Sequence, residues 1–365
     1  MALGHAVAIT LGTTSTEFWY RDVSAYTDLA TFLTRYINHS ATPFFFLVMG
    51  MSMVLLSSAR RRQGWSASRI HAFFLFRGAL LIALQFTVVN LGWKIAEGGM
   101  PFSELTWAHL LPAWDGVRFH GVLFSLGVSM IAASLLLRVP TVIVAVCATA
   151  VLVAPDIYLS FAEYPGITTE IPGWIGAIGF PGHWPDAFIL YTPIPWLGMT
   201  LLGLVLGRVF LADRDRFEAL LIPTGLAALA LFGLTMIGRF VIGDATSLID
   251  ALHLRRYPPH LLLLAYAFGV NFLLLAALQR FDLGILDRLL VTFGRSALFL
   301  YVSHLFVFAF VIRLSDQPET LTHGASLAVL SLAVMFPLCD MYVRHGRHAI
   351  RRVLRDLQRS FGLPV

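Results

Sequence analysis

The sequence is poor in charge, poorer still in lysine, and nearly without cysteine. Only 13% of its 365 residues are charged and 58% are apolar, whereas a soluble domain carries about 25% charged residues to cover a surface that faces water. That shortfall excludes an ordinary soluble globule and makes lipid the main solvent; the mean hydropathy of +0.76 agrees. Lysine occurs once, at Lys94, against 25 arginines. The arginines stand mainly between apolar runs, so the net charge of +5 and pI of about 9.5 read as membrane topology and not as a nucleic-acid footprint. The two cysteines, Cys147 and Cys339, lie inside apolar stretches and read as small buried hydrophobes, with neither a disulfide nor a metal site expected. P-loop, dinucleotide-fingerprint, HExxH and GxSxG patterns are missing, as are repeats and low-complexity segments.

What is present is a series of long apolar runs. Roughly 20 residues are needed to cross a hydrocarbon layer of about 30 Å, and nine segments reach that length: Ser40–Ala59, Phe73–Trp93, Phe119–Leu137, Pro140–Leu159, Ala187–Phe210, Leu220–Ile242, Pro258–Gln279, Leu289–Arg313 and His323–Val343. Met1–Gly12 is apolar but too short to cross, and reads as the second half of a tenth helix whose start is truncated. The expected fold is therefore an all-α polytopic transmembrane bundle of about ten helices, one domain over residues 1–365, with 344–365 a basic tail.

Arginine placement orients the bundle. Arg60, Arg61, Arg62 and Arg69 follow one apolar run, and Arg344, Arg347, Arg351, Arg352, Arg355 and Arg359 fill the tail, while the loop Asp156–Asp186 holds no lysine or arginine. The positive-inside rule puts the arginine-rich side and the C-terminus in the cytoplasm, which implies a multi-pass protein of the inner membrane. The opposite loops carry Trp107, Trp114, Trp174 and Trp184 among acids such as Glu104, Asp115 and Glu163, either as an interfacial belt or as a mouth for a polar, sugar-like substrate.

Ionisable groups inside spans are the functional pointers, since each costs about 2.5–3.5 kcal/mol at the membrane centre unless it is partnered. His304 lies nine residues beyond Arg295, about 14 Å along an unbroken helix, and so faces either a neighbouring helix or a reaction path. Arg77 and Arg295 sit in the first turns of helices that start on the arginine-rich side; they either snorkel or bind an anion such as a nucleotide-bearing donor. His5, His39, His120 and His260 map to the opposite half, where a neutral imidazole can serve as base for an amine or hydroxyl.

Several of these stretches resemble the heparan-α-glucosaminide N-acetyltransferase catalytic-domain family. TRYINHSATPFFFLVMGMSM is similar to its second-helix signature and RIHAFFLFRGALLIAL to its basic third helix. AWDGVRFHGVLFSLGV, YTPIPWLGMTLLGLVLGR, RRYPPHLLLL and FGRSALFLYVSHL follow in the family's order. MALGHAVAI is similar to the end of the first helix, which places His5 at the family's histidine-or-asparagine position. The resemblance implies transfer of an acetyl group from cytoplasmic acetyl-CoA to an amine or hydroxyl of an envelope sugar across the lipid bilayer, with no metal. It implies His5 as first choice of base, then His39, His120 and the mid-membrane His304; Trp114, Asp115 and Arg118 toward the acceptor; and Arg77 and Arg295 toward the acyl-CoA. Oligomeric state is left open, a homo-oligomer included. The rival readings are a non-catalytic transporter or export partner for an envelope glycan or lipid, and an envelope O-acyltransferase of another type.

Overall fold

The computed structural model describes residues 4–6, 18–20, 28–96, 118–163, 171–185, 187–313 and 320–360. Helices dominate them, in an all-α polytopic arrangement. Seven helical stretches among the described residues are long and apolar enough to cross a membrane, or eight if one bent pair counts as a single span. The chain divides into two compact units, residues 15–85 with 116–280 and residues 1–14 with 86–115 and 281–365.

The larger unit begins with α1 (Leu29–Ile37), a 3₁₀ turn Asn38–Ser40, and α2 (Ala41–Arg62). Then come α3 (Ala67–Leu84), strand β1 (Arg118–His120), α5 (Val122–Leu135), α6 (Thr141–Tyr158), α7 (Gly173–Gly179), β2 (Gly182–Trp184) and β3 (Ala187–Ile189), with α4 (Asn90–Ala96) falling in the other unit. The unit closes with α8 (Pro193–Ala212), α9 (Arg214–Val241), α10 (Leu248–Leu252) and α11 (Leu261–Arg280). α8 packs on α2, α5 and α6, and α9 on α11. Lipid tails give no hydrophobic drive between helices, so close backbone approach through small residues holds them together. At the α2–α8 crossing a Cβ on Gly50 would stand 2.0 Å from the Thr200 carbonyl oxygen, and one on Gly203 2.1 Å from that of Leu47. Only glycine permits that approach.

Three predicted spans take a different form. Phe119–Leu137 yields a helix of only 14 residues, because Arg118–His120 pairs in parallel with Ala187–Ile189. The start of that helix is satisfied from outside: Gln85, fully buried, accepts from the Leu123 amide at 3.2 Å, and Gly121 leaves room for it. Ala187–Phe210 becomes β3 followed by α8, since Pro193 and Pro195 lack the amides that would extend a helix backwards. The third is Leu289–Arg313, in the smaller unit.

That unit holds residues 4–6, α4, α12 (Ile285–Arg295), α13 (Ala297–Arg313), α14 (Leu321–Met341) and α15 (Arg347–Ser360). α12 and α13 meet at an angle of 91° at Ser296, whose hydroxyl donates back to the Thr292 carbonyl at 2.7 Å. The composition explains the break. α12 alternates Asp287, Arg288 and Arg295 with an exposed apolar face of Ile285, Leu286 and Leu290, whereas α13 is apolar on all sides apart from Ser303, His304 and its last residue. The expected 14 Å climb from Arg295 to His304 is thus corrected: only the seven residues from Ala297 rise along α13, about 10 Å.

Candidate active site

In the smaller unit, α13 places His304 one turn beyond Leu300 and Tyr301, so that its Nδ1 faces their carbonyl oxygens at 3.2 and 2.5 Å. A carbonyl only accepts, so Nδ1 carries the proton and Nε2 of the neutral ring presents a lone pair. His5 Nδ1 lies 2.8 Å from that Nε2 and is therefore the donor. The proton order propagates: with Nδ1–H fixed on His5, its Nε2 is the ring's basic nitrogen. His304 is 3% exposed. Trp93 of α4 meets the His5 ring edge-on at 5.0 Å, and Phe308 meets His304 in the same way at 5.2 Å. α4 comes near enough because Gly92 packs on Leu305, where a Cβ would stand 3.1 Å from that residue's own Cβ. The result is a hydrogen-bonded pair of imidazoles in an aromatic setting.

His39, in the 3₁₀ turn after α1, is buried against Tyr36 at 5.0 Å, within a cluster that includes Phe232 and Tyr266. His120 ends β1; its Nδ1 donates to the Arg118 carbonyl at 3.2 Å and its ring meets Phe124 edge-on at 4.8 Å. Arg118 is exposed at the start of β1. Trp114 and Asp115 lie outside the described residues. Arg77 lies over the Phe73 ring at 5.1 Å in the larger unit, and Arg295 is exposed at the end of α12 in the smaller one. Among the described residues, His5 and His304 are a pair of predicted residues that the fold joins directly.

Two further groupings escape sequence reading. Asp156 near the end of α6 forms an ion pair with Arg255, accepts from the Leu261 amide at 3.3 Å, and lies 3.9 Å from His260 Nε2. His260 Nδ1 accepts from the Leu262 amide at 3.1 Å, capping α11. Burial holds the His260 pKa below the ordinary imidazole value, against the pull of Asp156. At the ends of α2 and α8, Ser57, Ser58, Arg61, Arg62 and Arg208 line a cleft of about 460 Å³ with no acid among its lining residues. The first grouping joins positions about a hundred residues apart, and the second depends on which helices are neighbours; neither leaves a local pattern.

The profile of the family described as heparan-alpha-glucosaminide N-acetyltransferase, catalytic, matches residues 4–241. The chain belongs to this family. The match runs from the residue before His5 to the end of α9, through the first four of the six motifs in order and the MALGHAVAI stretch; RRYPPHLLLL and FGRSALFLYVSHL, with His304, lie beyond it. A membrane acetyltransferase family and several apolar spans together make this a multi-pass membrane protein of that class. No curated protein matches the chain.

Proposed function

We propose that this family member takes an acetyl group from acetyl-CoA on its arginine-rich side and passes it to an amine or hydroxyl of an envelope sugar on the other side of the inner membrane, with the C-terminus in the cytoplasm. The hydrogen bond between His5 and His304 is the observation that carries the reading. It orders the protons so that His5 Nε2 can receive one from the acceptor. The acceptor nitrogen or oxygen then attacks the thioester carbonyl, the carbon–sulfur bond breaks, and the proton taken by His5 returns to the leaving CoA thiolate. His304 touches neither reactant in this scheme; it is a positioning residue that holds the tautomer of His5.

Arg77 and Arg295 are each assigned to the phosphates of the donor, as guanidinium pairs well with phosphate oxygens; within the larger unit, the acid-free cleft of Arg61, Arg62 and Arg208 adds positive charge. Trp114, Asp115 and Arg118 are assigned to the acceptor side. Purified protein in lipid nanodiscs, given acetyl-CoA and glucosamine, is expected to release free CoA thiol and N-acetylglucosamine in equal amounts. Thiol release without acetylated sugar over a panel of amino sugars and glycans would count against the acceptor assignment. No thiol release at all would count against the enzyme.

A further inference from the structure

Independently of the acetyl-transfer reading, we propose that the arginine-rich end of the larger unit binds an anionic phospholipid with two phosphates joined by a short linker, the cardiolipin class, with one phosphate in each of two adjoining clefts. The larger cleft, about 460 Å³, lies between the ends of α2 and α8 and is lined by Arg61, Arg62 and Arg208. The smaller, about 210 Å³, lies between the start of α3 and the end of α5 and is lined by Arg61, Arg138 and His71. Arg61 and Leu137 belong to both, so the clefts meet at that pair. Among the described residues, no aspartate or glutamate lines either cleft, and all the lining residues belong to one unit.

An arginine that only marks the end of a span extends its head into water. Two of these turn toward a neighbouring helix instead. Arg61 donates from Nη2 to the Leu137 carbonyl at 3.4 Å; Arg208 donates from Nη1 to the Val139 carbonyl at 2.7 Å and the Thr141 hydroxyl at 3.2 Å, and from Nη2 to the Leu136 carbonyl at 3.0 Å. These bonds hold both guanidinium groups at the clefts without using all five N–H donors of either. Guanidinium pairs bidentately with phosphate, and basic pockets between membrane helices take lipid headgroups of this class. The rest of the lining suits a lipid better than a soluble anion. On α2 the larger cleft runs inward from Arg62 past Ser58 to Val54, about 12 Å along the axis. Each cleft also has an exposed leucine in its wall, Leu211 in one and Leu135 in the other, where an acyl chain can lie. A single phosphate fills one cleft and leaves Arg62 or Arg138 unmatched, whereas a linked pair straddles Arg61.

The test uses the full chain in phosphatidylcholine nanodiscs doped with cardiolipin or with phosphatidylglycerol at equal total phosphate, so that surface charge is matched. Retained lipid is counted by native mass spectrometry, and the melting temperature is read alongside. Cardiolipin is expected to bind about tenfold or more tighter than phosphatidylglycerol, because its second phosphate binds intramolecularly, and to raise the melting temperature accordingly. Arg62→Gln and Arg138→Gln, each altering one cleft, should bring cardiolipin down to the phosphatidylglycerol level. Arg280→Gln, at an exposed arginine that ends α11 and lines neither cleft, should change nothing. Arg62 and Arg138 are exposed, so in phosphatidylcholine alone their variants should melt like wild type. The inference is overturned if phosphatidylglycerol binds as tightly as cardiolipin, if Arg280→Gln weakens cardiolipin as much as the cleft variants do, or if the cleft variants bind it like wild type. A cleft variant that melts well below wild type in phosphatidylcholine, or fails to fold, also overturns it by making that arginine structural. Displacement of cardiolipin by inorganic phosphate or adenosine 3′,5′-bisphosphate would do the same, by giving the clefts to a soluble anion.

Discussion

His304 and His260 are both imidazoles packed against a helix backbone, one in each unit, and the backbone treats them in opposite ways. At His304 the main chain accepts: the carbonyls of Leu300 and Tyr301 fix the proton on Nδ1 and leave Nε2 basic. At His260 the main chain donates: the Leu262 amide occupies the Nδ1 lone pair, so the neutral ring carries its proton on Nε2, toward Asp156. The partners differ as well. His304 meets another imidazole, whereas His260 sits beside an Asp156–Arg255 pair already engaged. Burial and residue type alone do not separate these two histidines. The direction of one backbone hydrogen bond does.

The strongest way to break this contrast is to remove the pair in the smaller unit. His5→Gln should lower acetyl transfer per correctly inserted molecule by about 10²–10⁴-fold, the range of general-base catalysis. His304→Leu should cost roughly 10²-fold, since the tautomer of His5 is then unset. His304→Gln, whose amide oxygen can still accept from His5 Nδ1–H, should recover most of that loss. Near-normal turnover in His5→Gln would remove His5 as the base, and an equal loss in His39→Gln or His120→Gln would transfer the role. A His304→Gln variant as inactive as His304→Leu would give His304 a proton of its own to move.

Next in size is the charge cluster. Asp156→Asn strands Arg255, and breaking such a pair costs about 3–5 kcal/mol when fully buried; with both side chains about one-fifth exposed, solvent reduces the expected loss to about 1–3 kcal/mol. A double-mutant cycle with Arg255→Gln isolates the pair, and turnover per folded molecule should be unchanged. His260→Ala should lower stability by about 1 kcal/mol, the size of a lost helix cap, again with activity intact; a large activity loss would place His260 with His304.

The smallest effect is in pH. The folded pKa of His260 lies below its unfolded value, so on acidification the unfolded ring takes up a proton before the folded one. Stability is full above about pH 6.5 and declines as pH falls from there toward the folded pKa. Thermal unfolding of wild type against His260→Gln checks this: the variant should lack that component of the decline, and parallel curves would refute it.

Much of this was legible in the sequence because lipid enforces local rules. A spanning helix must satisfy its own backbone, so length and composition located α2, α3, α6, α8, α9, α11 and α14. His304 was legible for the same reason, being an ionisable group where lipid forbids an unpartnered one. The bend at Ser296 was not: Leu289–Arg313 is apolar on average, and only the distribution of Asp287, Arg288 and Arg295 around α12 distinguishes a surface helix from a span. The partner of His304 was also hidden, because His5 lies 299 residues away and no local spacing encodes that meeting. Arg255 and Arg256 look alike on paper; burial and a distant aspartate tell them apart.

The right angle at Ser296 also bears on bilayer thickness. α13 has 17 residues, a rod of about 26 Å, which falls short of a hydrocarbon layer of about 30 Å. Because α12 turns aside with its apolar face outward, it can lie along the headgroup boundary as a float and keep that end of α13 from being drawn inward. The depth of His304 is then measured from one membrane surface, about 10 Å along α13 from the bend. A thicker bilayer must thin locally around this short arm, whereas a thinner one is met by tilt. Through this one corner, lipid chain length becomes a setting of where the histidine pair sits between the two aqueous phases.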